Sequence, residues 1–389
     1  MDYDPKNSAR STDKRSDYRI MKAMPATAQS FKRQLQAYKQ RIDSDIAAYS
    51  QSVQAATHQN FTAASDLATE VFLDILSRGG KRVRGALVMV GVDLVGGDTT
   101  QPAVLEAARV LEMLHAYILI IDDIQDRSPS RRGGPTAHTK IAEYHRQHQL
   151  AGQADHFGVA IALNAALEGA HLAQQLLCDL PCSAERRLAV SRLINQTMVV
   201  TAHGQTNDIF NEVVPVVTAT DIDHVLEWKT AHYTFLNPLM VGMTLAGANE
   251  ATCQAIHEYA MHAGRAFQIT DDVLGVFGNE FDSGKSPLDD IKEGKRTVLT
   301  VYALEHAAAS DRQFLQQQLG NEALTPADFE RCKAILQTCG AADYARQQAE
   351  AHVTAAQAAL QAAAKTHQWQ SGAVEFLDGL VAYLPQRQA

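Results

Sequence analysis

From Phe31 almost to the C-terminus, apolar residues recur at the three- and four-residue spacing of helices that bury one face. Few windows show the two-residue alternation that is typical of a half-buried strand. Glycine and proline separate the helical windows, and each such break indicates a helix end. The pattern therefore predicts an all-α protein. The breaks are Gly79-Gly80, Gly96-Gly97, Gly133-Gly134-Pro135, Pro181, Pro215, Gly247, a loop from Gly278 to Gly294, and Gly320.

The ends of the chain differ in character from its middle. Residues 1–28 are polar, mixed in charge and without apolar periodicity, so we expect a disordered leader. Residues 29–389 are predicted to form a single all-α domain. Because this length exceeds the usual size of one core, an accessory C-terminal helical layer is expected. The Ala/Gln-rich stretch 341–367 is predicted to be a peripheral helix of that layer.

Composition excludes several classes of protein. The formal net charge is −9, whereas a nucleic-acid binder usually has a basic balance, so no nucleic-acid partner is expected. No apolar stretch approaches ~20 residues, so no transmembrane segment is predicted. An apolar signal segment is also absent from the N-terminus. The five cysteines do not show zinc-site spacing, which favours reduced thiols and a cytoplasmic location.

An apolar run that ends in three aspartates is the first candidate site. It extends from His115 to Asp122, Asp123 and Asp126. On a helix, Asp122 and Asp126 share a face, and Asp123 lies about 100° around. His115 returns to the Asp122 face two turns earlier. Carboxylates at a helix C-terminus repel each other and oppose the helix dipole, which indicates a bound cation. Oxygen ligands with substrate phosphate suit Mg²⁺; a solvated acidic helix end is the alternative.

A second acidic segment lies far along the chain. It reads Phe267-Gln268-Ile-Thr-Asp271-Asp272, again at the end of an apolar helix. A loop follows that contains Lys285, the pair Asp289-Asp290, and the stretch 294–297 (Gly-Lys-Arg-Thr). An ordinary helix end with its loop is the alternative interpretation. Two such segments in one helical chain favour facing helices that place both carboxylate sets around one diphosphate.

Basic residues cluster in two short motifs that suit a small anionic ligand. Gly79 to Gly85 contains Lys81 and Arg84, which are three residues apart and can face one anion. The helix that follows presents free N–H groups at its start. Arg131 and Arg132 are neighbours and point in different directions, which suits contact with two different diphosphates. Surface solvation is the alternative for each cluster.

Taken together, these motifs resemble the trans-isoprenyl diphosphate synthase (polyprenyl synthetase) family over roughly residues 75–300. The three aspartates followed by Arg131-Arg132-Gly resemble its first aspartate-rich motif, and Gln268 with Asp271-Asp272 resembles its second. The resemblance implies an isoprenoid synthase-type helical bundle around a deep central cavity. It also implies a homodimer, three Mg²⁺ ions, and two substrates, isopentenyl diphosphate and an allylic diphosphate.

The resemblance also implies a role for each matching residue. The expected metal ligands are Asp122, Asp126 and Asp271, surrounded by a water and hydrogen-bond shell from Asp123 and Asp272. The allylic diphosphate would be bound by Arg131, Lys229, Gln268 and Lys285. The isopentenyl diphosphate would be bound by Lys81, Arg84, His115 and Arg132. Gln205, near Asp208, and Thr230 lie in the family's middle motifs and are expected to contact substrate.

This chain departs from the family pattern at two positions. Gly85 stands where proline is common, and Gly275 replaces the third aspartate of the second motif. The reaction class should survive both changes.

Product length is expected to depend on what blocks the cavity below the first aspartates. Ile118, one turn before Asp122, faces the same way, whereas Tyr117 is rotated by about 140° on an ideal helix. The resemblance nonetheless singles out Tyr117 as a floor residue, and products of C15–C20 are expected.

Three rival functions are disfavoured by the same residues. A terpene cyclase keeps the first acidic motif but usually carries an Asn/Ser/Glu metal triad and needs no Lys81/Arg84 site. A non-catalytic partner subunit of a synthase generally loses an aspartate motif or the basic site. An unrelated helical structural protein would need neither the aspartate motifs nor the basic site.

Overall fold

The computed structural model describes residues 26–278 and 288–386, and these residues form an almost wholly helical chain. The predicted leader as far as residue 25 and the predicted ligand Lys285 lie outside the described residues, so both stay predictions. The α-helices are α1 (Ala26–Asn60), α2 (Ala63–Ser77), α3 (Val83–Leu94), α4 (Pro102–Gln125), α5 (Ala137–Gln147), α6 (Ala154–Asp179), α7 (Ala184–Val213), α8 (Ala219–Val225), α9 (Asn237–Leu245), α10 (Glu250–Gln254), α11 (His257–Phe277), α12 (Asp289–Glu293), α13 (Val298–His306), α14 (Ala309–Gln318), α15 (Pro326–Thr338), α16 (Ala341–His367) and α17 (Ser371–Tyr383).

Three other elements interrupt or extend the series of α-helices. A short antiparallel hairpin, β1 (Ser130–Arg131) and β2 (Gly134–Pro135), follows α4. A π-helix, Leu226–Leu236, continues α8 into α9, and a 3₁₀ turn, Leu384–Gln386, follows α17. The all-α fold class is confirmed. Within the described part of the chain, no helix is both long and apolar enough to cross a membrane.

Predicted breaks at Gly79-Gly80 and at Gly247 coincide with helix ends. Gly79 and Gly80, between α2 and α3, have φ angles of +87° and +106°, and Gly247, after α9, has +89°. Side chains with a Cβ rarely adopt such angles, so glycine at these positions lets the chain turn sharply. Local sequence therefore places the ends of the helices that later form the cavity.

The main core is built on a close contact between α3 and α9. A Cβ atom on Gly91 would lie 2.3 Å from the carbonyl oxygen of Leu239, and one on Gly242 would lie 2.1 Å from that of Val88. Glycine on each side therefore allows the two backbones to touch, and α3 is buried almost all round. This packing fixes α3, whose first turn carries Arg84, against the helices that form the rest of the site.

The C-terminal helices form a second apolar cluster around Phe329 and Leu336. The helix predicted over 341–367 is present as α16. One face of it packs along the length of α11, the helix of the second acidic segment. Its buried face is mostly alanine, for example Ala345 and Ala356. Small side chains allow close helix approach, so the layer braces α11 directly.

Candidate active site

A cavity of about 570 Å³ lies between α4, α7, the π-helix and α11. It is lined by residues from both acidic segments and from both basic clusters, so motifs far apart in sequence meet around one space. The predicted residues in its lining are Arg84, His115, Tyr117, Ile118, Asp122, Arg131, Arg132, Gln205, Lys229, Thr230, Gln268 and Asp271. The predicted residues of the described chain that lie outside the lining are Lys81, Asp123, Asp126 and Asp272.

The last turn of α4 holds the first acidic segment in a network of cationic and amide donors. Asp122 accepts hydrogen bonds from Arg131 at 3.1 Å and from Gln205 at 3.2 Å, and it lies 3.5 Å from the Lys229 ammonium. Asp123 is fully buried and accepts from Arg131 at 2.6 Å. Burial by itself would lower the pKa of Arg131, but Asp123 and Asp122 outweigh it and raise that pKa. Arg131 is thus held charged beside the aspartates.

Lys229 lies on the cavity face of the π-helix, opposite α4. Its ammonium group donates to Asp208 of α7 at 2.6 Å. Burial would lower the pKa of Lys229, but Asp208 and Asp122 raise it, so the group keeps its proton. Lys229 therefore presents a permanent positive charge to the cavity between the two acidic segments.

The second acidic segment is tied to the π-helix by a chain of hydrogen bonds. Thr230 donates to Gln268 at 2.8 Å, and Gln268 donates to Asp272 at 2.8 Å, whereas Asp271 faces the cavity. Burial raises the pKa of Asp272 to about 8; the bond from Gln268 opposes this, and nearby carboxylates including Asp290 add to it. Burial and the neighbouring carboxylates thus disfavour the ionised form of Asp272. A cation beside this carboxylate would stabilise the ionised form.

Gly275, the departure from the family's second motif, is in contact with Asp290. A Cβ atom at Gly275 would lie 2.2 Å from Asp290 Oδ2. The carboxylate of Asp290, from α12, therefore occupies the space that a side chain at position 275 would need. The segment keeps a third carboxylate on that face of α11, supplied by a different part of the chain.

Lys295 is a paired cation of the cavity to which the sequence motifs assigned no role. Its ammonium group lies 3.2 Å from Asp126, 3.6 Å from Asp290 and 2.5 Å from Glu293, and it lines the cavity. Burial would lower the pKa of Lys295, but Asp290, Asp126 and Glu293 raise it well above its usual value. Its only sequence signal is a lysine after a glycine in the loop beyond the second motif. It bridges the first acidic segment to α12.

The carboxylates do not converge into a ready-made metal group. Across residues 26–278 and 288–386, no three Asp, Glu, His or Cys side chains lie together in a way that could hold a metal ion. The reason is visible in the ion pairs, since Arg131, Lys229 and Lys295 lie between the aspartates. The donors themselves are carboxylate oxygens, which fit Mg²⁺ because it takes one or two carboxylates and fills its shell with water and phosphate.

The first basic cluster divides into a cavity residue and two others. Arg84 lines the cavity, whereas Lys81 is exposed outside its lining. That both residues face one anion stays a prediction. Arg82, between them, is buried and pairs with Asp43 at 2.8 Å and Glu112 at 3.3 Å. Arg82 therefore has a structural role, because its two ion pairs anchor the loop before α3.

The other departure, Gly85, also has a structural explanation. The Gly85 N–H donates to Glu112 at 3.0 Å, and a Cβ atom there would lie 2.8 Å from Ile42. Proline lacks this donor and would crowd α1. Glycine at this position thus completes the same buried Glu112 network that holds the preceding loop.

His115 and Arg132 lie together on the Arg84 side of the cavity. Arg132 donates to the carbonyl of Gly79 at 2.9 Å and lies 3.4 Å from His115 Nε2. Burial, together with the charges of Arg84 and Arg132, lowers the pKa of His115 well below its usual value, so the imidazole is neutral. The second basic cluster therefore separates as expected, because Arg131 turns to the aspartates and Arg132 turns to His115.

Tyr117 and Ile118 both line the cavity despite their different directions on α4. The cavity extends far enough around the helix to touch both faces. Met198 and Thr201 of α7 lie in the same lining. The different directions of Tyr117 and Ile118 on an ideal helix therefore exclude neither residue from the cavity wall.

Comparison with known proteins agrees with this geometry. The family model described as polyprenyl synthetase matches residues 65–336, which is more than half of the chain. This chain belongs to the polyprenyl synthetase family. The predicted family and the predicted enzyme class, a prenyl diphosphate synthase, are confirmed by this match and by the named relatives.

Relatives and solved structures resemble this family member along most of their length. It is 31% identical to the geranylgeranyl diphosphate synthase of Saccharolobus solfataricus over 69% of this chain and 75% of the relative. It is 29% identical to the geranylfarnesyl diphosphate synthase of Aeropyrum pernix over 72% of this chain and 83% of that one. A Corynebacterium glutamicum geranylgeranyl pyrophosphate synthase, solved with isoprenyl diphosphate and magnesium, superposes with a TM-score of 0.83. That structure is 28% identical, and the match covers 92% of this chain and 99% of the other.

Proposed function

We propose that this protein condenses isopentenyl diphosphate with an allylic diphosphate (dimethylallyl, geranyl or farnesyl) to give an all-trans prenyl diphosphate five carbons longer. The observation that carries the proposal is the single cavity with two differently charged sides. Asp122, Asp271 and Lys229 line one part of the cavity. In another part, Arg84 and His115 both contact Tyr233, and Arg132 lies beside His115. An enzyme that couples two diphosphate substrates needs two anion sites, whereas a terpene cyclase binds one diphosphate and needs one site.

Different residues serve different steps of the reaction. Asp122, Asp126 and Asp271 would hold Mg²⁺, three ions in our proposal, which when bound would neutralise charge on the departing diphosphate. Lys229 and Lys295 present permanent positive charge to the same group. The allylic C–O bond breaks, and the isopentenyl double bond attacks the allylic carbon to form the new C–C bond. A proton is then lost, and the released diphosphate can accept it.

Apolar side chains protect the carbocation from water. Ile118, Ile121 and Phe267 are among the apolar residues that line the cavity. These side chains offer the cation no oxygen nucleophile, so attack by the isopentenyl double bond is favoured. His115 is not needed as a base for proton loss, and its neutral state suits a hydrogen-bonding role.

We propose products of C15–C20, limited by Tyr117 on α4. Replacing Tyr117 by alanine should lengthen the product by at least one five-carbon unit, because it removes an aromatic ring from the cavity wall. Products should be sized beside wild type after phosphatase treatment. Tyr144→Ala, on the partly exposed face of α5, is the matched control and should leave length unchanged. Identical products from Tyr117→Ala and wild type would remove Tyr117 from this role.

We also propose a homodimer formed through α6 and α7. Large apolar side chains are exposed along both helices, including Leu163 and Leu167 one turn apart on α6, and Val199 and Phe210 on α7. Contiguous exposed apolar surface is typical of a protein interface. Leu167→Glu should shift the mass measured by light scattering from dimer towards monomer, whereas Leu150→Glu in the α5–α6 turn should not. A monomeric wild type would contradict the proposal.

A cytoplasmic location is part of the same proposal. All five cysteines of the chain are free thiols, which is typical of a reducing compartment.

The decisive experiment is an extension assay with the purified chain alone. Labelled isopentenyl diphosphate and Mg²⁺ are mixed with C5, C10 or C15 allylic primers, and the products are sized. A discrete C15 or C20 product that disappears with EDTA is the expected result. Products of C30 or longer would keep the reaction and overturn the proposed length. No extension with any primer would favour a non-catalytic partner subunit.

A further inference from the structure

The π-helix Leu226–Leu236 lines the cavity with two pairs of residues on successive turns. π-Helical segments of this length are rare, and they are frequent at functional sites. Lys229 and Thr230 form the first pair, which contacts the acidic segments. Tyr233 and Thr234 form the second pair, one turn further on and also in the lining. The family motif covers only the first pair, so the second pair has no assigned role.

Tyr233 and Thr234 both contact the guanidinium of Arg84. Arg84 donates to Thr234 Oγ1 at 2.7 Å, and its guanidinium carbon lies 4.5 Å from the centre of the Tyr233 ring. Thr234 is 1% exposed and Tyr233 is 3% exposed. One hydrogen bond and one cation–π contact thus fix the direction of Arg84 from a single element. A residue that binds an anion through a guanidinium depends on that direction.

Three buried polar atoms at this end of the cavity have no hydrogen-bond partner within the described residues. They are the Tyr233 hydroxyl, Arg84 Nε and His115 Nδ1, and the two rings of Tyr233 and His115 lie 6.2 Å apart. Arg132 lies beside His115 Nε2, so the neutral imidazole carries its proton on Nδ1. All three atoms can therefore donate. Buried donors are normally paired, so a group rich in acceptor oxygens is the fitting partner.

We propose that Tyr233 and Thr234 are part of the isopentenyl diphosphate site: the Tyr233 hydroxyl donates to a diphosphate oxygen, and Thr234 positions Arg84 for the same anion. This inference rests on the proposed condensation, because it assigns the Arg84 side of the cavity to the second substrate. The π-helix then holds both diphosphates, the allylic one through its first pair and the homoallylic one through its second. Burial raises the pKa of the Tyr233 hydroxyl, which keeps it a neutral donor.

The test separates the two substrates by steady-state kinetics. Tyr233→Phe removes only the hydroxyl, and Thr234→Val removes only the acceptor for Arg84. Each should raise KM for isopentenyl diphosphate about tenfold, because a hydrogen bond to a charged group contributes about that factor. KM for the allylic diphosphate should stay within about twofold of wild type. Thr234→Ser retains the hydroxyl and should restore KM for isopentenyl diphosphate.

A matched control removes a buried tyrosine hydroxyl elsewhere. Tyr259 is fully buried and donates to the carbonyl of Leu377 at 2.8 Å, outside the cavity lining. Tyr259→Phe should leave both KM values unchanged. Calorimetric titration of folded Tyr233→Phe with isopentenyl diphosphate and Mg²⁺ should show the same loss of affinity without turnover.

The outcomes distinguish this inference from the proposed function. Equal rises in both KM values, a change in kcat alone, or wild-type values in Tyr233→Phe and Thr234→Val would overturn the role of the second pair while wild type still extends primers. A wild-type protein that extends no primer would instead overturn the condensation itself.

Discussion

Replacing Asp122 by asparagine or alanine is expected to lower turnover by about a thousandfold. Asp122 is the carboxylate on which Arg131, Gln205 and Lys229 converge in the cavity lining. Metal-assisted ionisation supplies several kcal/mol of transition-state stabilisation, and each tenfold loss in rate corresponds to about 1.4 kcal/mol. The asparagine variant keeps the shape and part of the hydrogen bonding, so it is the variant expected to fold. Single-turnover rates with saturating substrates and Mg²⁺ measure the effect.

The control for this variant is a surface aspartate. Asp98 is exposed in the turn between α3 and α4, where it accepts hydrogen bonds from Thr100. Asp98→Asn should keep wild-type turnover. A folded Asp122→Asn variant, checked by circular dichroism, that turns over like wild type would overturn the metal assignment of the first acidic segment.

Replacing Lys295 by methionine is expected to reduce both stability and turnover. The ammonium group balances Asp126, Asp290 and Glu293, and only 17% of the side chain is exposed. Removing one member of a buried ionic network leaves the other charges unpaired, which costs about 3 kcal/mol. Turnover should fall about a hundredfold, because a fixed positive charge beside the departing diphosphate is lost. Urea unfolding and initial rates measure the two effects separately.

Lys292 offers a control within the same short helix. It lies in the last turn of α12 but outside the cavity lining. Lys292→Met should change neither the urea midpoint nor the rate. If Lys295→Met unfolded at the wild-type midpoint, the buried network would not be holding α12 against α4, and Lys295 would be a peripheral charge.

Much of this fold could be predicted from sequence because the relevant signals are local. Helix periodicity and glycine breaks depend on neighbours a few residues away, so the helix ends near Gly79, Gly96 and Gly247 were predictable. The acidic segments were recognisable for the same reason, since Asp122 and Asp126 are one helical turn apart. The family resemblance led us to expect both segments around one cavity, and Asp122 of the first and Asp271 of the second line it.

What could not be predicted depends on contacts between distant parts of the chain. Helix α16 was predicted as a helix, but its packing along α11 was not, because composition does not reveal which surface a small-residue helix meets. Lys81 and Arg84 were expected to face one anion, and of the two Arg84 lines the cavity, whereas Lys81 lies in the loop before α3. Spacing rules for an ideal helix do not apply across that loop.

By itself, the sequence determined the helices, their breaks, the family and the charged groups that the chemistry uses. Only the tertiary structure decided which of those charges meet. Asp290 fills the space beside Gly275, Lys295 joins the first acidic segment to α12, and Tyr233 with Thr234 directs Arg84. The physical reason is the distance along the chain over which each interaction acts. Backbone preferences act over one or two helical turns, whereas ion pairs and buried hydrogen bonds form between any residues that packing brings together.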